Sequence, residues 1–198
     1  MNDHRIERLT AWYQPIVDLN TGKVAGCEVL SRIVAADGSA GSAAALMDEL
    51  EREPEAQYAL IRKLLDSIHR EIVPVFARHP DFYVSINIPP SVFGSGRIAP
   101  MLSDLDLDIL KIDRSLLMPI LENRTAARML RGIVGLAAAL RLRTVAEGVE
   151  TWEHAFFLRA AGVDYGQGYF WSKAVPGAEI EALLAGGFAH SLERPLVR

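Results

Sequence analysis

Five polar residues in this chain each close a short apolar run, and together their types could form one active site. They are Glu28, Asn87, Lys111, Glu147 and Gln167. If the runs are strands of a parallel barrel, their C-terminal ends direct these side chains into one shared mouth. A lysine in such a mouth could hold a small anionic ligand. The spacing limits this chemistry, because the 23 residues between Asn87 and Lys111 contain no run that ends in paired carboxylates.

Turn chemistry and hydrophobic periodicity predict the first elements that position these residues. Asn20, Thr21 and Gly22 predict a tight turn between antiparallel strands over 13–19 and 24–32. The DGSAGS stretch that follows predicts a surface loop. Two helical patterns come next, and the second, over 55–72, carries its apolar residues on one face.

Beyond this point strand patterns alternate with helical patterns. The segments FYVSIN, DILKID, RTVAEG and YGQGYF predict strands, and helices are predicted over 124–140, 152–161 and 178–184. Thr151 is a candidate N-cap for the second of these helices, and Gly186 and Gly187 should stop the third. Such alternation is typical of parallel βαβ units, in which helices cover both faces of the sheet.

The composition excludes several classes of protein. The 198 residues are enough for one domain, and half of them are hydrophobic, which is a normal globular balance. The net charge is -4 and the 21 Lys and Arg residues are scattered, so nucleic acid is not an expected partner. Cys27 is the only cysteine, which rules out an intramolecular disulfide, and we expect it to be buried. The apolar runs are too short to cross a membrane, so we expect no membrane partner and a cytoplasmic location.

Four segments, taken in order, resemble the EAL domain, the family of cyclic di-GMP phosphodiesterases. AEGVETWEHAFFLRAAGVDYGQGYF resembles the C-terminal part of that domain. YQPIVDLNTGKVAGCEVLSR resembles the stretch that names the family, with EVL in place of EAL. FYVSINIPP resembles its asparagine strand, and DILKIDRSLL resembles its lysine strand. The agreement spans residues 13–176 and is far more specific than any one motif.

The resemblance implies a fold and an activity. Members of the family are α/β proteins with a TIM-like barrel whose first strand is antiparallel. They hydrolyse one phosphodiester bond of cyclic di-GMP with two divalent cations, which carboxylates hold about 4 Å apart. Mg²⁺ or Mn²⁺ would be the cofactor here if any metal is bound, since both suit oxygen ligands.

The family's site residues match this chain one by one. Glu28, Asn87 and Glu147 match metal ligands, and Lys111 matches the active-site lysine. The residues that match or adjoin ligand contacts are Gln14, Arg32, Asp113 and Gln167. Asp113 is included because it comes two residues after Lys111, so an extended strand would place both side chains on one face.

One part of the family pattern is missing. Between its asparagine and lysine strands the family has a strand that ends in a glutamate and another that ends in two adjacent aspartates. The interval in this chain offers Asp104, Asp106 and Asp108 instead, at the approach to the lysine strand. A βα unit of a barrel takes about 30 residues, so about two units are absent and we expect an incomplete or distorted barrel.

These observations predict a shortened EAL-like domain over 11–187, with an N-terminal extension over 1–10 and a C-terminal tail over 188–198. We expect its exposed strand edges to be covered by a protein partner or by a second copy of the chain. The leading interpretation is a catalytically inactive binding or regulatory module of cyclic di-GMP signalling. The alternatives are an active phosphodiesterase that produces pGpG and a receptor that binds cyclic di-GMP without cutting it.

Overall fold

The computed structural model describes residues 4–35, 40–50, 53–87, 109–139 and 142–188, and these fall into two compact units. The first unit comprises Met1–Tyr13, Glu28–Asp106 and Pro176–Ala178. The second comprises Gln14–Cys27, Leu107–Val175 and Glu179–Arg198.

The elements alternate along the chain much as the periodicity predicts. The strands are β1 Leu9–Asp18, β2 Val24–Val34, β3 Ala40–Ser42, β4 Tyr83–Ile86, β5 Ile109–Ile112, β6 Arg143–Glu147 and β7 Tyr165–Gln167. The helices are α1 His4–Glu7, α2 Ala44–Leu50, α3 Pro54–Glu71, α4 Val73–Phe76, α5 Arg114–Leu117, α6 Arg124–Ala139, α7 Trp152–Ala160 and α8 Ile180–Gly186. A turn of 3-10 helix, Gly177–Glu179, precedes α8.

The turn between β1 and β2 confirms the predicted hairpin. The Asp18 carboxylate accepts hydrogen bonds from the backbone N–H groups of Asn20 and Thr21, both at 2.8 Å. Gly22 then adopts a φ of 69°, which favours glycine, and the Asp18 N–H donates to the Lys23 carbonyl at 2.9 Å. Both strands extend further from the turn than the sequence pattern indicates.

The first unit corrects one prediction and confirms another. The DGSAGS stretch was expected to be a loop throughout, but Ala40–Ser42 forms β3, which pairs antiparallel with β2 from Arg32 to Val34. Glycine and alanine are poor strand formers, so the cross-strand hydrogen bonds outweigh their propensity here. The helix predicted over 55–72 is α3, which begins with Pro54 and buries its predicted apolar face.

Hydrogen bonds connect α1 to α3 and to Glu53, which directly precedes α3. Arg5 donates two hydrogen bonds to the Glu53 carboxylate, at 2.9 and 2.7 Å. The Lys63 ammonium donates to the carbonyls of Ile6 and Glu7 at 2.8 and 2.9 Å, and so satisfies the C-terminal end of α1. Partial burial lowers the pKa of Lys63, and the charge of Glu7 acts in the opposite direction.

The second unit has the parallel sheet that the alternation of strands and helices predicts. Strand β5 pairs parallel with β6, and β6 pairs parallel with β7. The other edge of β7 pairs antiparallel with β1, at Val17↔Gly166 and Asp18↔Tyr165. The α/β class and the antiparallel first strand are therefore confirmed.

One hydrophobic core holds the second unit together. Its buried residues come from the strands, from the inner faces of α5, α6 and α7, and from the segments that connect them, and they include Val17, Ile112, Leu130, Ala146, Leu158 and Trp171. Cys27 is fully buried, as expected. The chain leaves α8 at Gly187 with a φ of 56°, and the Phe188 N–H donates to the Gly22 carbonyl at 2.7 Å. The rest of the predicted tail lies outside the described residues. None of the helices in the described part of the chain has the length and apolar character needed to cross a membrane.

Candidate functional site

Glu28 and Asn87 meet in the first unit. The Asn87 side-chain N–H donates to a carboxylate oxygen of Glu28 at 2.9 Å. Glu28 is buried and Asn87, which directly follows β4, is exposed. The two elements come together because β4 pairs with β2. Glu28 lies within β2, which continues to Val34 and covers the strand predicted over 24–32, so Glu28 closes an apolar run but does not end the strand.

Lys111 and Glu147 meet in the second unit. The lysine ammonium lies 2.5 Å from a Glu147 carboxylate oxygen, and each side chain is 29% exposed. The parallel register of β5 and β6 brings them together, because Lys111 pairs with Val145 while Glu147 ends β6 two residues later. Glu147 is therefore a carboxylate partner of this lysine.

Asp113 has a local role at the start of α5. It is the N-cap of that helix, and its carboxylate accepts a hydrogen bond from the Ser115 N–H at 2.8 Å. The hydrogen bonds from Ser115 lower the pKa of this exposed carboxyl group. Strand β5 ends at Ile112, so the carboxylate of Asp113 is used to begin the next helix.

Gln14 and Gln167 form a buried pair. The Gln167 side-chain N–H donates to the Gln14 side-chain oxygen at 3.0 Å, and the Gln14 N–H donates to the Ser172 carbonyl at 3.1 Å. The two side chains are 8% and 3% exposed. Both ends of the Gln14 amide are therefore satisfied inside the unit, so it is held in one orientation.

Arg32, one of the predicted ligand contacts, lies half-buried in the part of β2 that pairs with β3. Its guanidinium donates to the carbonyl of Ser31 at 3.0 Å. This contact is local and holds the side chain against its own strand.

The structure adds a second charged contact that the sequence did not reveal. The Arg114 guanidinium lies 3.7 Å from a Glu150 carboxylate oxygen, beside the pair of Lys111 and Glu147. Between the two glutamates, Gly148 has a φ of 71°, and a Cβ there would come within 2.6 Å of the Arg114 Cβ. The glycine between two glutamates was the available signal, because a chain that turns there needs a left-handed residue.

The loop after β6 is also joined to the loop after β7. The Val149 N–H donates to the Gln167 carbonyl, and the Phe170 N–H donates to the Val149 carbonyl, both at 3.0 Å. Thr151 then begins α7 as the predicted N-cap, and its side-chain oxygen accepts from the His154 N–H. The ends of β6 and β7 are therefore rigidly connected through backbone groups.

Within each unit, the described residues do not form a two-metal centre. They contain no cluster of three or more His, Cys, Asp or Glu side chains that could hold a metal ion. Asn87 presents its amide nitrogen to Glu28, so binding a cation at this pair would require the amide to turn its oxygen inward. The third predicted ligand, Glu147, contacts the Lys111 ammonium. Asp104, Asp106 and Asp108 lie outside the described residues.

The family pattern described as the EAL domain matches residues 2–102 and again residues 92–174. The chain belongs to the EAL domain family. The match of the EAL pattern comes in two pieces that overlap within the interval between Asn87 and Lys111. This is expected of a chain that lacks an internal part of the family pattern.

Two relatives and one solved structure define the similarity. PdeB of Escherichia coli, named a probable cyclic di-GMP phosphodiesterase, is 29% identical over 222 residues, which cover 83% of this chain and 42% of PdeB. The cyclic di-GMP phosphodiesterase NbdA of Pseudomonas aeruginosa is 31% identical over 189 residues, which cover 90% of this chain and 24% of NbdA. The PaMucR phosphodiesterase in its c-di-GMP complex has a TM-score of 0.70 at 18% identity, with 88% of this chain and 94% of that one covered.

The solved structure confirms the EAL-type α/β fold, and the PdeB alignment agrees with the shortened form. The PdeB alignment extends over more residues than the whole chain contains, so PdeB has residues without a counterpart here. The NbdA alignment shows no comparable excess. The chain spans less than half the length of either relative.

Proposed function

We propose that this EAL-family chain serves in cyclic di-GMP signalling as a catalytically inactive binding or regulatory module. The observation that carries the proposal is the interval between Asn87 and Lys111. It contains neither a strand pattern that ends in a glutamate nor two adjacent aspartates. The link to cyclic di-GMP rests on family membership and on relatives named for that substrate.

The physical argument concerns the bridge between two cations. Two-metal hydrolysis needs carboxylates that hold the cations about 4 Å apart, so that one phosphate can contact both. Each carboxylate removed from a site lowers its negative charge and therefore its affinity for a divalent cation. Glu28 and Asn87 supply one charge between them, which could retain a single hydrated cation only weakly.

The contacts of the remaining residues support the same conclusion. Lys111 and Glu147 neutralise each other at 2.5 Å, so neither presents its full charge to a phosphate or a cation. Gln14 and Gln167 bind each other and the Ser172 carbonyl. These contacts stabilise the fold of the second unit in the absence of substrate. We also propose that the chain exercises its binding role in the cytoplasm.

The decisive experiment is a hydrolysis assay. The purified chain is incubated with cyclic di-GMP in Mg²⁺ and, separately, in Mn²⁺, and linear pGpG is quantified by chromatography. We expect no product above a heat-denatured control, while an active EAL phosphodiesterase run in parallel supplies the positive control. The proposal would be overturned by metal-dependent production of pGpG that is lost in Glu28→Ala and kept in Glu179→Ala. Glu179 is a suitable control because it precedes α8 and has no place in the predicted site.

Binding is tested separately by calorimetry with intact cyclic di-GMP, with and without Mg²⁺. Saturable binding without hydrolysis would define the module as a receptor. Absence of binding would leave a regulatory role through protein contacts. If the chain does bind, loss of binding in Arg32→Ala but not in Arg78→Ala would locate the ligand. Arg78 lies after α4 and outside the predicted site.

A further inference from the structure

The segment after β7 carries three consecutive aromatic residues, and two of them belong to the core of the second unit. Trp171 is 9% exposed, and a Cβ at Gly166 would come within 2.5 Å of its ring. Phe170 packs against the same core, with its ring edge-on to that of Trp171 at 5.2 Å between centroids. The third aromatic residue, Tyr169, has different surroundings.

Tyr169 is 62% exposed, the largest fraction among the large apolar and aromatic side chains in the described ranges. The ammonium of Lys173, which is also exposed, lies 5.4 Å from the centroid of the tyrosine ring. A cation–π contact at an exposed position contributes only modestly to stability. Packing therefore does not explain an aromatic residue at this position, and much of its ring is accessible to a ligand.

Hydrogen bonds hold the backbone on both sides of this ring. The Phe170 N–H donates to the Val149 carbonyl at 3.0 Å, and the Ser172 N–H donates to the Gly168 carbonyl at 3.2 Å. The Gln14 side-chain N–H donates to the Ser172 carbonyl at 3.1 Å. The exposed ring is thus presented by a fixed backbone, so a ligand that stacks on it loses little affinity to ordering of the segment.

The two buried glutamines form the frame of this segment. Gln167 ends β7 two residues before Tyr169 and donates to Gln14, which in turn donates to the segment itself. The family resemblance matches both glutamines with ligand contacts, but in this conformation they are buried and bonded inside the unit. We therefore expect them to position the segment, and we expect exposed side chains to contact a ligand.

We propose that Tyr169 and Lys173 bind a nucleotide, with the base stacked on the tyrosine ring and a phosphate accepting a hydrogen bond from the lysine ammonium. Every nucleobase has a flat π-face that can stack on an aromatic side chain, and an ammonium is a point charge suited to phosphate. The inference rests on the proposed function for the identity of the nucleotide, cyclic di-GMP. It adds two contacts that the residue-by-residue match with the family did not assign.

The direct test is fluorine NMR of the full chain labelled with 3-fluorotyrosine, in which Tyr169→Phe identifies the Tyr169 signal by its loss. Cyclic di-GMP, added with and without Mg²⁺, should shift this signal in a saturable way, because a stacked base changes the magnetic surroundings of the ring. Ribose 5-phosphate, which offers a phosphate without a base, should leave the signal in place. A signal that cyclic di-GMP does not move, or that ribose 5-phosphate moves equally, would overturn the inference.

Calorimetry of variants measures what each contact contributes. Tyr169→Ser should weaken the binding of cyclic di-GMP about tenfold, whereas Tyr169→Phe, which keeps the ring, should stay within about twofold. Lys173→Met should make the affinity less sensitive to added NaCl, because it removes a charge that contacts phosphate. The matched control is Phe156→Ser, since Phe156 is 54% exposed on α7 and should leave binding unchanged. Unaltered binding in Tyr169→Ser, or an equal loss in the control, would contradict the proposal.

The outcome is separable from that of the hydrolysis assay. Production of pGpG together with a shifted Tyr169 signal would overturn the proposed inactivity and support the nucleotide contact. Absence of pGpG together with an unmoved Tyr169 signal would support inactivity and overturn the nucleotide contact.

Discussion

At the scale of single residues, several polar side chains of the candidate site and its surroundings contact one another. Lys111 contacts Glu147, Arg114 lies near Glu150, and Asn87 donates to Glu28. A partly buried carboxylate or ammonium is costly without a partner, so pairing of this kind stabilises the fold whether or not the residues have a catalytic role. The pair of Lys111 and Glu147 is the most direct case for measurement.

We expect Lys111→Met to lower the free energy of unfolding by about 1–2 kcal/mol, because Glu147 would lose its cation in a site that is only partly open to water. Urea denaturation followed by circular dichroism measures the change. Glu147→Gln and the double variant complete a thermodynamic cycle, and we expect a coupling energy of about 1 kcal/mol. Additive single effects would show that the close approach of the two side chains contributes nothing to stability.

At the scale of elements, the chain starts helices directly after the strands that carry the site. Asp113 caps α5 one residue after β5 ends, and Thr151 caps α7 four residues after β6 ends. Each cap satisfies a backbone N–H that the first turn of a helix leaves without a partner. The direction of the chain beyond Lys111 and Glu147 is therefore set by these two side chains.

Asp113 predicts a pH dependence. Its pKa is lowered in the folded chain, so its contribution to stability is present above the pKa of the unfolded chain and is lost as the pH falls through the folded value. The unfolded value is about 3.9, so the loss should occur in more acidic solution than that. The chemical shift of the Ser115 amide proton, followed by NMR from pH 6 downward, should report this titration.

Asp113→Asn provides the matched control, since asparagine keeps the acceptor but does not ionise. This variant should keep the hydrogen bond to the Ser115 N–H and abolish the pH dependence of the Ser115 amide proton shift. Asp113→Ala should remove both. A titration of Ser115 that persists in Asp113→Asn would show that another group is responsible.

At the scale of the whole molecule, the shortening of the family pattern predicts weak binding of divalent cations. The family pattern matches in two pieces, and the described part of the chain holds no cluster of carboxylates suited to a cation. We therefore expect 1 mM Mg²⁺ or EDTA to change the melting temperature by less than about 1 °C. A site with millimolar or weaker affinity is only partly occupied at this concentration, so binding stabilises the folded state very little.

Thermal melting by differential scanning fluorimetry tests this expectation, with NaCl at matched ionic strength as the control. A rise of several degrees in Mg²⁺ that Glu28→Gln abolishes would show that a metal site survives. The EAL relatives that retain the missing strand ends should show such a rise under the same conditions.

Much of the fold could be predicted from local patterns. Apolar residues at helical spacing located α3 and α6, and the Asn-Thr-Gly turn located the first hairpin, because both signals act between residues close in the chain. The family and its missing strand ends could also be predicted, because both depend only on the order of motifs along the chain. Strand β3 could not be predicted from its composition, because its hydrogen bonds come from β2.

The sequence by itself determined which polar residues could serve a site, that the chain is of the EAL type, and that paired carboxylates are missing between Asn87 and Lys111. Only the tertiary structure decided how the remaining residues are used. It assigned Glu147 to Lys111, gave Asp113 to a helix cap and joined Gln14 to Gln167 across 153 positions of sequence. The reason is physical: the type of a side chain limits the bonds it can form, but the partner is set by strand register and packing between segments distant in the chain.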